Sequence, residues 1–261
     1  MTSRTSRQRE RQREITAAVT QAGSMRIEDL AERFGISLMT AHRDLDELAE
    51  RGLLHKSRGL ATALPTSLIE SSDTFRRGRQ QASKAQLARA AMAFVEPNQA
   101  VLMDDSTTTL AMAPLLVERV PLTVATNFLP ILTELAGTRG ITLLGLAGQY
   151  YDWANSFLGA MTIQAIERLH TDVLIMSTSS IFNGRCYHQT QETVETKRAM
   201  MAVSDQRILL VDHTKFTRRA LHALCSVRDF DHVVVDSQTA QSDISALTEA
   251  GARVTIAEDH A

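Results

Sequence analysis

The chain has 261 residues, 44% of them hydrophobic but only 5% aromatic, so it is long enough for two domains whose cores must be filled by Leu, Val, Ile, Ala and Met. Its formal net charge is -2, which by itself says nothing about nucleic acid. No apolar run approaches the length of a membrane span, and the Arg- and Gln-rich start lacks the apolar stretch of a secretory signal, so a cytoplasmic protein is expected.

The charge is unevenly distributed. Residues 1–64 carry 11 Lys and Arg against 9 Asp and Glu, while the remainder carries 17 against 21. Five arginines, Arg7 and Arg9 among them, fall in the first 13 residues beside a single acid and form a basic arm. Ile15, Ala18, Val19 and Ala22 then lie on one helical face that ends at Gly23. Ile27, Leu30, Ala31 and Phe34 repeat the pattern on a short second helix, and Gly35-Ile36 makes a turn. Ser37 is a good N-cap for a third helix with Leu38, Ala41, Leu45 and Leu48 directed inward. Helix, glycine-containing turn, helix is the helix-turn-helix arrangement.

On the third helix Met39, Thr40, His42 and Arg43 face outward near the N-terminus, the end that meets base edges in a major groove. Arg is the commonest reader of guanine, and Thr donates or accepts. The stretch LLHKSRGLATAL predicts a two-stranded wing whose Lys56 and Arg58 touch phosphate. Against this reading, Asp44, Asp46, Glu47 and Glu50 on the third helix repel DNA wherever they face it.

These residues resemble the DeoR-type family of bacterial transcriptional regulators, through Leu30-Ala31, Gly35-Ile36-Ser37, Thr40, Arg43-Asp44-Leu45, Leu48 and Gly52-Leu53. The chain departs from the family at Ala41-His42, where a β-branched residue and Arg are usual, and at Gly59-Leu60, where the wing usually has a Gly-Gly pair.

Pro65 closes a winged helix-turn-helix domain of residues 1–64, and the polar stretch 65–79 reads as a linker. Residues 80–261 form a second domain. An amphipathic helix from Gln80 is followed by the strand candidates AVLM, LTVAT, ITLLGL, DVLIMS, RILLV, HVVVD and RVTIA. Helices are expected around 107–118, 128–137, 158–168, 192–203 and 241–250. The fold class is therefore α/β: a small winged helix-turn-helix followed by a mainly parallel sheet covered by helices on both faces.

In such sheets ligands bind beyond the carboxyl ends of the strands. Those ends read Asp104-Asp105-Ser106-Thr107-Thr108-Thr109, Thr126-Asn127, Gly148-Gln149-Tyr150, Ser177-Thr178-Ser179-Ser180 and Asp212 to Phe216 with Lys215. Five polar ends on one rim predict a small-molecule site. A turn that opens a helix holds an anion with N–H groups and hydroxyls, as Ser106 to Thr109 can. Asp104 and Asp105, adjacent on a strand, are expected to point to opposite faces and not to share a ligand. One accepts hydrogen bonds from sugar hydroxyls, unless Asp105 only caps the helix. Tyr151 and Trp153 line a pocket or belong to the core.

The resemblance extends over this domain, and it implies a sensor for a phosphorylated sugar, related in fold to ribose-5-phosphate isomerase. The matching positions are Asp104 to Thr108, Thr126-Asn127, Ala147-Gly148, Glu195-Thr196-Lys197-Arg198 and Asp212 to Phe216, with Ser106 and Ala147 replacing glycines. Lys197 is a candidate ligand on that ground.

The rival reading is an isomerase with an appended DNA-binding domain. It lacks a general base, because Ser177 to Ile181 stands where the related isomerases carry acids. No catalytic residue, cofactor or metal is expected. Cys186 and Cys225 show no metal or redox spacing, and His170, His188, His213 and His222 read as surface or turn residues. The expected partners are double-stranded operator DNA, a small-molecule effector and, since one helix reads a half-site, further copies of the chain as a homodimer or homotetramer.

Overall fold

A computed structural model describes residues 4–50, 53–63 and 73–258. The chain divides into two compact units, Met1–Phe75 and Arg76–Ala261.

The first unit begins with α1 (Arg4–Ala22), which stops at Gly23 in the left-handed region, and continues through β1 (Ser24–Arg26) into α2 (Ile27–Arg33). Gly35, also at positive φ, turns the chain into α3 (Leu38–Glu50). The wing follows as β2 (Leu54–Ser57) and β3 (Leu60–Ala63). Arg58 and Gly59 both have positive φ, the requirement of a two-residue turn whose twist matches a hairpin. Gly52 and Pro65 lie outside the described residues.

Ile15, Val19, Ile27, Leu30, Ala41, Leu45, Leu48, Leu54 and Ala61 form one buried cluster, as the periodicity requires. Two details differ from expectation. The wing has a third strand, because β1 pairs antiparallel with β3; three residues are too few to carry a period. Leu38 is 46% exposed rather than inward. A helical side chain leans over the turn preceding it, and the first residue of a helix has none.

Ahead of the second unit's sheet, a five-residue helix, Asp73–Arg77, occupies part of the expected linker. Its acid stands in the first turn and its two arginines in the last, as the helix dipole favours. Gln81–Ala91 is the amphipathic helix. The strands that follow are β4 (Ala100–Met103), β5 (Leu122–Thr126), β6 (Ile141–Gly145), β7 (Gln149–Tyr151), β8 (Ser156–Leu158), β9 (Thr171–Ser177), β10 (Ser180–Phe182), β11 (Arg185–His188), β12 (Ser204–Val211), β13 (His222–Ser226), β14 (His232–Val235) and β15 (Val254–Ile256). All seven expected strands join one sheet, in the order β15-β14-β12-β9-β4-β5-β6, and every neighbouring pair is parallel.

Alternation along the strands feeds two cores. Val101 and Met103 of β4 pack with Leu87, Met112, Leu116 and Ile131 on one face. Leu102 packs with Ile166, Val194, Met200 and Leu247 on the other. The chain runs outward from β4 through β5 and β6, then returns to β9 on β4's other side. The carboxyl ends of β4 and β9 therefore flank a topological switch point, the preferred crevice for ligands in open α/β sheets.

Three departures surround this frame. The helix expected at 107–118 is one α-turn, Thr107–Leu110, followed by a 3-10 segment, Ala113–Arg119, because Pro114 supplies no N–H to continue the α-helix. β7 and β8 form a hairpin, and β10-β11-β13 form a small antiparallel sheet. Among the described residues no helix is long and apolar enough to cross a membrane.

Candidate functional site

In the first unit, Ser37 caps α3. Its Oγ accepts the Thr40 N–H at 3.2 Å and lies 2.8 Å from the Thr40 hydroxyl. Met39 is 74% exposed, Ser37 and Arg43 are exposed, and Thr40 and His42 are half-buried. These five occupy the outward N-terminal half of α3. Three of the four acids that cast doubt on the helix have partners within the unit. Asp44 is buried and bonded to Arg11 at 2.6 Å, and Glu47 accepts from Gln12 at 2.6 Å. Asp46 pairs with Lys56 at 2.5 Å.

That last contact also places Lys56. Its ammonium also donates to the His42 carbonyl at 3.2 Å, so it ties the wing to α3. Arg58, at the exposed hairpin tip, has no such tie among the described contacts. The side chains of Arg7 and Arg9 lie outside the described residues; the segment that carries them is part of α1, not an extended arm.

In the second unit, Lys197 rises from the helix Gln191–Ala202 into the switch point and is only 1% exposed. Its ammonium contacts the Asp104 carboxylate, lies 3.3 Å from Asp105 Oδ1 and donates to the Ser177 carbonyl at 3.3 Å. The two aspartates thus share one cation, contrary to the expectation from strand alternation. β4 ends at Met103, so alternation no longer governs residues 104 and 105.

Asp104 is fully occupied. Oδ1 accepts from Ser106 N–H at 3.1 Å and the Thr109 hydroxyl at 2.9 Å, and Oδ2 also accepts from Ser177 N–H at 2.8 Å. Ser106 caps the short helix through Thr109 N–H at 3.0 Å. Asp104, Ser106 and Thr109 therefore build the loop. Thr107 and Thr108 are buried, yet no hydrogen bond to their hydroxyls is found among the described residues.

Asp105 accepts weakly from the Ser156 hydroxyl at 3.4 Å, and its carbonyl accepts from Arg76 at 3.3 Å. Burial pushes its carboxyl up, but Lys197, Arg76 and His188 outweigh burial and hold it below its ordinary value. His188 is buried, not a surface residue. Its Nδ1 is 3.0 Å from the Ser179 hydroxyl and its Nε2 is 3.4 Å from the Ser177 carbonyl. Burial and then Lys197 depress its pKa well below the usual value, so it is neutral at pH 7 and Ser179 is oriented by it.

The other rim positions divide. Thr126 Oγ1 accepts from Phe128 N–H at 3.1 Å and shapes its own turn. Asn127 donates to the Phe157 carbonyl at 2.9 Å, while its buried Oδ1 has no partner among the described residues. Gly148 is explained by packing: a Cβ there meets the Thr162 hydroxyl at 2.0 Å. Tyr150 is exposed on the β7–β8 hairpin and donates to Asn155 at 2.7 Å. Tyr151 and Trp153 meet edge to face on the same hairpin.

One group was missed in the sequence. Lys84, on the first helix of this unit, is buried and donates to the Arg76 carbonyl at 2.5 Å. Lys215, also buried, stands 3.7 Å from Asp212. Burial, then Lys215, Arg76 and Arg218 lower the Lys84 ammonium from 10.5 to about 7, with partial relief from Asp212. Burial pushes the Asp212 carboxyl up, but Lys215, Thr214 and Arg218 hold it below its ordinary value. Three cations thus crowd Lys84, and Asp212 is the acid that offsets them. Lys84 is far in sequence from Asp212 and Lys215 and sits at an interior helical position, so no local pattern marks it.

Cys186 and Cys225, remote in sequence, face each other in register across β11 and β13 as free thiols. Among the described residues no cluster of three or more His, Cys, Asp or Glu is poised to hold a metal.

Comparison with known proteins agrees with this architecture. Residues 11–66 match the DeoR-like helix-turn-helix domain, and residues 79–237 match the DeoR C terminal sensor domain. The chain is 33% identical over 232 residues to the transcriptional repressor AccR of Agrobacterium fabrum, covering 88% of this chain and 90% of that one. It is 30% identical over 244 residues to the glycerol-3-phosphate regulon repressor of Escherichia coli, covering 93% and 96%. A ribose 5-phosphate isomerase A from Neisseria gonorrhoeae aligns with a TM-score of 0.37 at 13% identity, over 54% of this chain and 55% of that one. Both domain matches and full-length relatives therefore place the chain in the DeoR family, as a DNA-binding transcriptional regulator with a small-molecule sensor domain and not an enzyme.

Proposed function

We propose that this protein is a cytoplasmic repressor that binds its operator as a homodimer or homotetramer and releases it when a phosphorylated sugar or related metabolite enters the rim of the second unit. The observation that carries this reading is the crowding of the buried Lys84 by the buried Lys215 and the half-buried Arg76 and Arg218, with Asp212 beside them. An anionic group relieves the repulsion that Lys215, Arg76 and Arg218 exert on Lys84. The hydroxyls of Thr107 and Thr108 add donors, and Asp105 with the unpartnered Asn127 Oδ1 offers acceptors for sugar hydroxyls. A relative named for a glycerol-3-phosphate regulon is consistent with such a ligand. We start the sensor domain at Arg76 rather than Gln80, because Arg76 bonds both Lys84 and Asp105. Thermal-shift measurements across phosphorylated sugars and their unphosphorylated counterparts test the assignment, since a ligand that binds the native state raises its apparent stability.

The Lys84 ammonium gives this ligand a pH signature. Its folded-state pKa, about 7, lies below its ordinary 10.5, so folding releases a proton between these values. The ligand-free protein therefore gains stability from this group as pH rises through that window. An anionic effector favours the charged form. Above pH 7 binding takes up a proton, and effector affinity falls as pH rises. Calorimetry in buffers of different ionisation enthalpy measures that uptake; Lys84→Met abolishes it.

On the DNA side, Arg43→Ala is expected to weaken operator binding by roughly 1–3 kcal/mol, the contribution of one good base contact. Substitutions at Thr40, Met39 and His42 change sequence preference. Arg58→Ala weakens all DNA about equally and reduces the salt dependence. A gel-shift titration in which Arg43→Ala retains wild-type operator affinity would remove α3 as the reading helix.

A further inference from the structure

Gln8, Arg11 and Gln12 fall on one face of α1, at the i, i+3, i+4 spacing. They grip two acids of α3, the buried Asp44 and the half-buried Glu47. Arg11 Nε donates to Asp44 Oδ2 at 2.6 Å, and Gln12 donates to Asp44 Oδ1 at 3.3 Å. Gln8 and Gln12 both donate to Glu47, at 3.0 and 2.6 Å. Asp44 is 1% exposed, next in sequence to the exposed Arg43.

The apolar contacts between these helices, Ile15 and Val19 against Ala41, Leu45 and Leu48, hold them together without direction. Ion pairs behave differently. A buried pair barely repays its desolvation, so its best-attested use is to fix geometry. Asp44 lies one turn beyond Thr40 and Glu47 one turn beyond Arg43 on α3, so the bonded atoms fix the rotation and axial position of the turn that carries those two residues.

We propose that Arg11, assisted by Gln8 and Gln12, is a positioning residue for operator recognition: it locks α3 through Asp44 and Glu47 so that Thr40 and Arg43 meet base edges, and it does not itself contact phosphate. The inference rests on α3 being the reading helix. It assigns to Arg11 a role opposite to the one its place among the N-terminal arginines implies.

The test uses the full-length protein. Affinity is measured for a selected operator and for a random duplex, each across a salt series. The variant R11M/D44L leaves net charge unchanged and no buried charge unpaired. It is expected to keep the random-duplex affinity and the salt slope while losing about tenfold in operator preference, the scale of coupling inside a buried network. R11K retains the charge but not the planar fork, and is expected to lose preference in the same direction should the double variant fail to fold by circular dichroism. Wild-type preference in the folded variant overturns the proposal. So does an R11Q variant that weakens both duplexes equally and lowers the salt slope by about one, the behaviour of a phosphate contact. R43A serves as the control: if it has no effect on operator affinity, the assignment of α3 itself fails.

Discussion

Lys197→Met is expected to destabilise the second unit by roughly 3–5 kcal/mol, the cost of removing one partner from a buried ion pair. The side chain fits the space, so the loss is electrostatic. Asp104 and Asp105 remain in the interior, and Asp104 is bonded to the ends of both β4 and β9 through Ser106, Thr109 and Ser177. Without the ammonium these two carboxylates repel each other at the switch point. Urea unfolding at neutral pH measures the effect. Its pH dependence distinguishes the cause: at acid pH the carboxylates protonate, and the difference between variant and wild type shrinks. A deficit independent of pH would indicate a packing defect instead. The loss extends to effector binding, because Asp105 and the Thr107-Thr108 loop are held by the same network.

The second large effect concerns Thr107 and Thr108. Ser106 and Thr109 supply the cap, so removing the two intervening hydroxyls leaves the loop intact. Each hydrogen bond to a charged group contributes roughly 1.5–3 kcal/mol. The Thr107→Ala, Thr108→Ala double variant should therefore lose effector affinity by at least about tenfold. Its DNA-binding unit is unchanged. Induction requires a coupling free energy of about 1–3 kcal/mol between the sites, and that coupling is not engaged without bound effector. The variant should bind its operator normally and fail to release it. Release at the wild-type effector concentration would reduce the loop to a helix cap.

These residues also illustrate what a sequence discloses. The seven sheet strands were legible because strands buried on both faces are nearly continuous apolar runs, as in HVVV and LTVAT. The third strand of the wing and the β7–β8 hairpin were not, since three-residue strands carry no period. The Asn183-Gly184 dipeptide was a usable signal for the β10–β11 hairpin, because both residues have positive φ and that pair favours a two-residue turn.

At the site, residue types announced the rim but not their division of labour. Asp104, Ser106, Thr109 and Thr126 look like ligand groups in sequence and turn out to bond the backbone and one another. Lys197 and Lys84 look like solvated helical charges and are buried. A charge's partner is set by tertiary contacts between residues about 90 positions apart, as for Lys197 and Asp104, and no local spacing encodes it. The same applies to Lys56, whose partner Asp46 faces it across α3 and β2.

The central claim, that an anionic effector at the rim releases the operator, is tested most directly by one titration. Wild-type protein is bound to an operator selected from random duplexes, and release is followed by fluorescence anisotropy as phosphorylated sugars and their dephosphorylated counterparts are added. The account predicts release by a phosphorylated compound, no release by its neutral counterpart, and no release of the Thr107→Ala, Thr108→Ala variant at the same concentration. Equal release by the neutral sugar would contradict it.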